Sequence, residues 1–290
     1  MTQADLPPMP LRPEDGHKGT FGTVIVVGGS VGMIGAPALA ATAAFRVGVG
    51  LVRIAAPAGV LHHAVGLEPS ATGFVLPDEP GEALAAIDRA DPEQQAVLAI
   101  GPGMGMSRST QEIVEALLAH QPRAVVLDAD GLNALAALCA RSCLAGGTLP
   151  SRLVLTPHPG EFGRLASALH IKGSATDPDQ RPAAAQALAE QLAATVVLKG
   201  NRSVVAATCN RVAINQTGNA VMAAGGSGDV LTGVIAGLLA QGMDPYNAAR
   251  LGAHLHGLSA DLWRERNTDR GMLARELADG LTRAIGAYAS

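Results

Sequence analysis

Aromatic residues are scarce in this chain: one Trp, two Tyr and four Phe among 290 residues. Rows of exposed rings that stack the bases of single-stranded nucleic acid are therefore excluded. Charged residues reach only 16%, with a net charge of −4, so neither nucleic acid nor an anionic membrane meets a basic field. Cysteine is nearly absent as well. Cys139, Cys143 and Cys209 are an odd number with no signal peptide, which excludes a disulfide framework. Cys139 and Cys143 stand four apart on an expected helix and read as small thiols in a reducing cytoplasm rather than as metal ligands. No apolar run reaches membrane-spanning length without glycine, proline or charge, and Met1–Pro8 lacks a basic stretch followed by an apolar one. Two nucleotide motifs are also missing. There is no G-x-x-x-x-G-K-[ST], and Gly28-Gly29-Ser30-Val31-Gly32 fails the G-x-G-x-x-G spacing. A soluble cytoplasmic protein is expected, with neither nucleic acid nor membrane as partner.

What is present is apolar and regularly punctuated. Hydrophobic residues make up 48%, and 35 glycines and 18 prolines separate short β-branched runs. The runs 23–27, 51–55, 96–100, 124–127, 153–155, 195–198 and 203–207 predict strands buried on both faces. Helical segments are expected between several of them, at 36–47, 111–119, 132–138, 160–168 and 183–193. That alternation predicts a single α/β domain over residues 1–290 with a mostly parallel central sheet and a short N-terminal extension of about 16 residues. Beyond Asp229 the pattern turns all-helical, at 230–241, 245–264 and 271–288. Lys172–Arg181 reads as an exposed loop or helix start, and Leu76–Gln95 fits no motif.

Nearly every expected strand ends in glycine, a polar residue or a charge. Because ligands of parallel sheets bind beyond the carboxyl ends of the strands, these loops should converge on one crevice. The densest signal is Asn219–Asp229, where Gly225, Gly226, Ser227 and Gly228 deliver Asp229 to the first turn of an apolar helix. Amides at such a turn have no intrahelical partners and can hold a phosphoryl group, while the acid takes a proton from a hydroxyl. Gly233 and Gly237 in the following helix allow close packing there. Lys199 to Ser203 lie between two strands, where the lysine either reaches solvent or, with the Gly-Asn turn, holds an adenosine ribose or phosphate. His158, set between Pro157 and Pro159, is held rigidly. His254 and His256 match no zinc spacing, and His17-Lys18 reads as a solvated loop within reach of an anion.

The motifs His17–Gly22, Gly35-Ala36, Arg46–Val52, Gly101–Gly103, Leu127–Asn133, Leu155–Phe162, Val197–Asn201 and Asn219–Asp229 resemble, in order and over about residues 17–285, the ADP-dependent NAD(P)H-hydrate dehydratases. The resemblance implies the ribokinase-like fold, a three-layer α/β/α sandwich. It implies a hydro-lyase that dehydrates the S form of hydrated NADH or NADPH (NADHX, NADPHX) while ADP becomes AMP and phosphate, with magnesium as cofactor. By the same resemblance Ala36, Gly103, His158 and Asp229 contact the hydrated dinucleotide, and Lys199, Gly200, Asn201, Arg202, Ser203 and Gly228 hold ADP or AMP. Metal ligands are not indicated. The resemblance also implies a homo-oligomer, a tetramer or larger, with a separate epimerase for the R-hydrate. Two other readings stand beside it. A ribokinase-like kinase acting on a vitamin-precursor alcohol would not require the His17–Gly22 or Thr156–Glu161 motifs, and an idle nucleotide sensor would not need Asp229.

Overall fold

The computed structural model describes residues 5–119, 121–141 and 149–289; Cys143 lies outside them. Strands β1 (Thr23–Val27), β2 (Leu51–Ala56), β3 (Thr72–Val75), β4 (Val97–Ile100), β5 (Val125–Leu127), β6 (Leu153–Leu155), β7 (Thr195–Leu198), β8 (Val204–Ala207) and β9 (Arg211–Ile214) form one sheet in the order β3-β2-β1-β4-β5-β6-β7-β8-β9. Pairing is parallel from β3 across to β7, and antiparallel for β7–β8 and β8–β9. All seven strands expected from the sequence are present, with β8 beginning at Val204 rather than Ser203.

Side-chain alternation along the strands separates two cores. Val24 and Val26 face α1 (Gly35–Arg46), α2 (Ala58–Leu67), α8 (Ser227–Ala240), α9 (Pro245–Arg264), α10 (Ala274–Asp279) and α11 (Leu281–Ala289). Ile25 and Val27 face α3 (Pro80–Ala90), α4 (Arg108–Leu118), α5 (Ala129–Ala140), α6 (Pro159–Leu169) and α7 (Arg181–Leu192). The result is a three-layer α/β/α sandwich. The chain builds outward from β1 to β3, then restarts at β4 on the other side of β1. Helices α1 and α2 therefore cover one face and α3 to α7 the other, leaving a topological switch between β1 and β4.

Two strands and two helices escaped the sequence reading. Both strands are sheet edges, β3 mostly and β9 half exposed, and Gly73 lies within β3. Helix α3 occupies the motif-free 76–95 stretch, started by Pro80 and by the Glu79 carboxylate accepting from the Glu82 amide. The expected helix at 271–288 divides at Gly280 into α10 and α11. Among the described residues no helix is long and apolar enough to cross a membrane.

Helix α8 is buried from Val230 to Leu239, as a helix apolar on every side must be. It packs against α1 so closely that a Cβ on Gly233 would collide with the Ala40 carbonyl. Gly233→Ala should therefore cost about 1–3 kcal/mol through overpacking, read as a lower urea midpoint at unchanged m-value. Gly163→Ala, on an open face of α6 where nothing lies within 4 Å, should be neutral or stabilising by up to about 1 kcal/mol.

Candidate functional site

The carboxyl ends of β5 and β7 meet at an ion pair. Lys199 Nζ lies 2.6 Å from Asp128 Oδ1, and Thr232 of α8 donates to Asp128 Oδ2 at 2.7 Å. Asp128 is only 1% exposed, so it is held in charged form by partners rather than by water. Burial would push its carboxyl up, but the Lys199 ammonium and the hydroxyls of Thr232 and Thr156 hold it below the usual range. Burial likewise opposes the Lys199 charge, yet Asp128, Glu161 and Asp229 together raise its pKa. The sequence option of a lysine reaching out to solvent is thereby excluded.

Two more carboxylates flank this pair. Glu161, in the first turn of α6, stands with Oε2 3.7 Å from Lys199 Nζ and accepts the His158 amide at 2.7 Å. His158 completes a reciprocal cap: its Nδ1 accepts the Gly160 amide at 2.9 Å, leaving Nε2 facing Glu161 Oε1 at 3.3 Å. Asp229 occupies the first turn of α8, which begins at Ser227 rather than at the expected Val230. Gly226 enters that turn at φ +90°, a left-handed conformation that favours glycine. A Cβ on Gly228 would lie 3.3 Å from Lys199 Nζ, so the α8 terminus sits directly over the ion pair. Burial and the Asp128 charge push Asp229 up to about 7. Burial, opposed by Lys199, carries Glu161 to about 7 as well.

A cavity of about 580 Å³ opens beside this cluster. Lys199, Gly200, Asn201, Arg202, Ser203 and Gly228 all line it, together with Asn219 and His256. The remaining singled-out residues stand elsewhere on the crevice. Ala36 opens α1 next to Gly103, whose Cβ would lie 3.1 Å from Ala36 Cβ. His158 is at the head of α6, and Gly225 and Gly226 lead into α8. The structure thus gathers the six nucleotide-assigned residues around one cavity and places Ala36, Gly103 and His158 outside its lining.

Several members of the site carried no sequence signal of their own. Arg181, expected in an exposed segment, is buried, and it donates to the carbonyls of Ala175, Leu198 and Lys199. Its guanidinium braces the Lys199–Gly200 turn from beneath. His256 is buried in α9, and burial lowers its pKa to about 4, so the ring is neutral. Its Nε2 lies 2.9 Å from the Ser227 carbonyl and must donate there, which fixes the tautomer and tethers the α8 turn. Asp261 accepts the Gly218 amide and the Asn219 side-chain amide, pinning the cavity wall to α9. Asp128 was visible only as an acid at the end of β5 and as a member of the Leu127–Asn133 motif, with no sign of its partner. The others are recognisable only once distant segments meet.

Asp128→Asn removes the negative charge that, after burial, most disfavours ionisation of Asp229, and it frees Lys199 to face that carboxylate. The Asp229 pKa should fall below its value of about 7, as followed by carboxyl-carbon NMR titration. An unchanged or raised value would show that the two carboxylates do not interact.

Known proteins bear directly on this geometry. A family model described as NAD(P)H-hydrate dehydratase matches residues 24–283. The bifunctional NAD(P)H-hydrate repair enzyme of Moorella thermoacetica is 44% identical over 94% of this chain and 51% of its own length, so the chain spans about half of that relative. The ADP-dependent (S)-NAD(P)H-hydrate dehydratase of Neisseria meningitidis is 41% identical over 92% of this chain and 86% of its own. Among solved structures, the Bacillus subtilis ADP/ATP-dependent NAD(P)H-hydrate dehydratase, co-crystallised with ATP and Mg2+, superposes with a TM-score of 0.76 at 33% identity, over 99% of this chain and 95% of the other. Arabidopsis thaliana ribokinase, at 12% identity, a TM-score of 0.56 and coverage of 91% and 98%, shares the fold alone. The fold is ribokinase-like, and the chain belongs to the NAD(P)H-hydrate dehydratase family.

Proposed function

We propose that this protein dehydrates the S form of hydrated NADH or NADPH back to the reduced dinucleotide, converting ADP to AMP and phosphate. The observation that carries the reading is Asp229: a half-buried carboxylate with a pKa of about 7, in the first turn of α8, over the Lys199–Asp128 ion pair and beside a nucleotide-sized cavity.

Hydroxide is a poor leaving group, so the ring hydroxyl must first be turned into a phosphate ester. Asp229 takes the hydroxyl proton as the oxygen attacks the terminal phosphoryl group of ADP, and AMP departs. The amides of Gly225, Gly226 and Gly228 serve the charge that develops on the transferring group, with the Lys199 ammonium below, whereas the Ser227 amide is turned to the Ala224 carbonyl at 3.4 Å. Electron donation from the ring nitrogen then expels phosphate, and proton loss from the neighbouring carbon restores the conjugated dihydropyridine. Lys199 through Ser203 hold the AMP portion, while Ala36, Gly103 and His158 contact the hydrated dinucleotide.

Magnesium fits this donor set only as an ion carried on the nucleotide phosphates. Among the described residues no group of three or more His, Cys, Asp or Glu side chains forms a cage. Asp128 is occupied by Lys199 and Thr232, and Glu161 by the His158 amide and imidazole, so the ion would be held chiefly by the phosphates, whose charge it would neutralise. We further place the enzyme in the cytoplasm as a homo-oligomer of four or more chains, with the R-hydrate supplied through a separate epimerase.

With NADHX or NADPHX, magnesium and ADP, absorbance of the reduced nicotinamide should recover; no recovery with either ADP or ATP overturns the proposal. Asp229→Asn should retain ADP binding and lose about 10²–10⁴-fold in turnover. Because the base form exists only above its pKa, the wild-type rate should fall as pH drops through about 7. His158→Ala should raise KM for the hydrate more than for ADP, and the reverse pattern would exchange the two half-sites.

A further inference from the structure

The second half of the proposed reaction needs a base other than Asp229. Once Asp229 has taken the hydroxyl proton it no longer acts as one, yet the ring must still lose a proton from the carbon beside the one that bore the hydroxyl. The two protons leave from neighbouring positions on one ring. Their acceptors must therefore stand close enough for each to feel the charge of the other.

Most of the groups around the Lys199–Asp128 pair are committed. Asp128 is bonded by Lys199 and Thr232 and closed to solvent. Glu161 accepts the His158 amide, faces the His158 ring at 3.3 Å and leaves only 5% of its side chain open. His158 Nδ1 accepts the Gly160 amide, so in the neutral ring Nε2 carries the proton and no lone pair remains. His256 donates to the Ser227 carbonyl and lines the cavity assigned to the nucleotide, on the wrong side for the ring.

Asp130 is different. It stands half-buried in the first turn of α5, two residues beyond Asp128 at the carboxyl end of β5. Its Oδ2 accepts the Gly105 amide at 2.8 Å, and its Oδ1 has no hydrogen-bond partner among the described residues. One bond thus aims the carboxylate and leaves the other oxygen able to accept a proton. The Asp130 charge reaches Asp229 and acts there more strongly than that of Glu161. Gly105 belongs to the turn after β4 whose Gly103 meets Ala36, and Asp130 does not line the ADP cavity. It therefore lies on the side of Asp229 assigned to the hydrated dinucleotide.

We propose that Asp130 is the second base of the reaction and takes the proton from the ring carbon next to the phosphate-bearing one. This rests on the function proposed above. Phosphate leaves with the electrons of its C–O bond as the ring-nitrogen lone pair forms a C=N bond. Asp130 then removes the neighbouring proton, the C–H electrons form the ring C=C bond, and the C=N electrons return to nitrogen. The proton passes from Asp130 to solvent, and nothing is oxidised or reduced.

Asp130→Asn separates the two half-reactions, because its amide oxygen can still accept from Gly105 while its basicity is gone. In a single turnover with ADP, wild type should form AMP and recover the reduced-nicotinamide absorbance together. The variant should form AMP within about twofold of the wild-type rate, with recovery of absorbance lagging by about 10²-fold. Deuterium at the neighbouring carbon should slow that recovery further. Equal slowing of AMP and absorbance would reduce Asp130 to a support for the Gly105 turn, and no slowing of either would give the proton to water; each result overturns the assignment. Failure of wild type to turn over any hydrate falls instead on the proposed function. Asp130 is still read in that case with NADH and AMP in heavy water. By reversal of the same step, wild type should exchange deuterium into that carbon about tenfold faster than Asp130→Asn, followed by NMR, and equal rates overturn the proposal.

Discussion

The contact between Lys199 and Asp128 is the constraint around which the site is built. It joins the carboxyl ends of β7 and β5, and through Thr232 it draws α8 onto the same point. Asp128 is closed to water at 1% exposure and the Lys199 side chain keeps only 19% of its surface, so each charge relies mainly on the other. Buried ion pairs of this kind add little to stability relative to well-packed apolar residues, whereas loss of one partner costs about 3–5 kcal/mol. What the pair supplies is a fixed charge distribution. Burial, reinforced at Asp229 by the Asp128 charge and opposed at Glu161 by Lys199, brings both carboxyls to about 7, where a proton can be exchanged at modest cost.

Around that centre the fold divides the crevice. The restart of the sheet at β4 places loops of opposite-facing βα units side by side, and the antiparallel β7–β9 extension adds a wall on one side. Helix α8 serves both parts. Its buried apolar body anchors it between α1 and α9, and its N-terminus projects donors and one acid over the carboxyl ends of the strands. His256 and Arg181 hold the two backbone turns that flank the cavity, one from α9 and one from α7. Neither residue needs to touch a ligand to matter, because a phosphoryl site depends on amide directions that those hydrogen bonds set.

How much of this was legible in the sequence follows from where each feature gets its information. Interior strands are apolar on both faces, so 23–27 or 195–198 announce themselves without context. Edge strands β3 and β9 do not, because most of β3 and half of β9 faces solvent and the pattern weakens. The Gly225–Asp229 turn was legible because a left-handed entry and close backbone approach demand glycine locally. Asp128 and Lys199 are 71 residues apart, and only the ordering of strands in the sheet makes them partners. Arg181 misled for the same reason: a charged residue in a polar stretch looks solvated until the carbonyls of Leu198 and Lys199 are found against it.

A shared scaffold can run two chemistries here because the protein's part is the same in both. A kinase and a dehydratase of this kind each deprotonate a hydroxyl and stabilise a moving phosphoryl group, and an aspartate at a glycine-rich helix terminus does both. The outcomes separate after transfer. A phosphate ester on an ordinary alcohol is stable, whereas one on a carbon adjacent to an electron-donating ring nitrogen is a leaving group. Discrimination between the two outcomes therefore lies less in Asp229 than in the surfaces that admit the larger molecule. In the proposed function those surfaces are the Ala36–Gly103 contact and the His158 cap, and neither is needed to move a phosphoryl group.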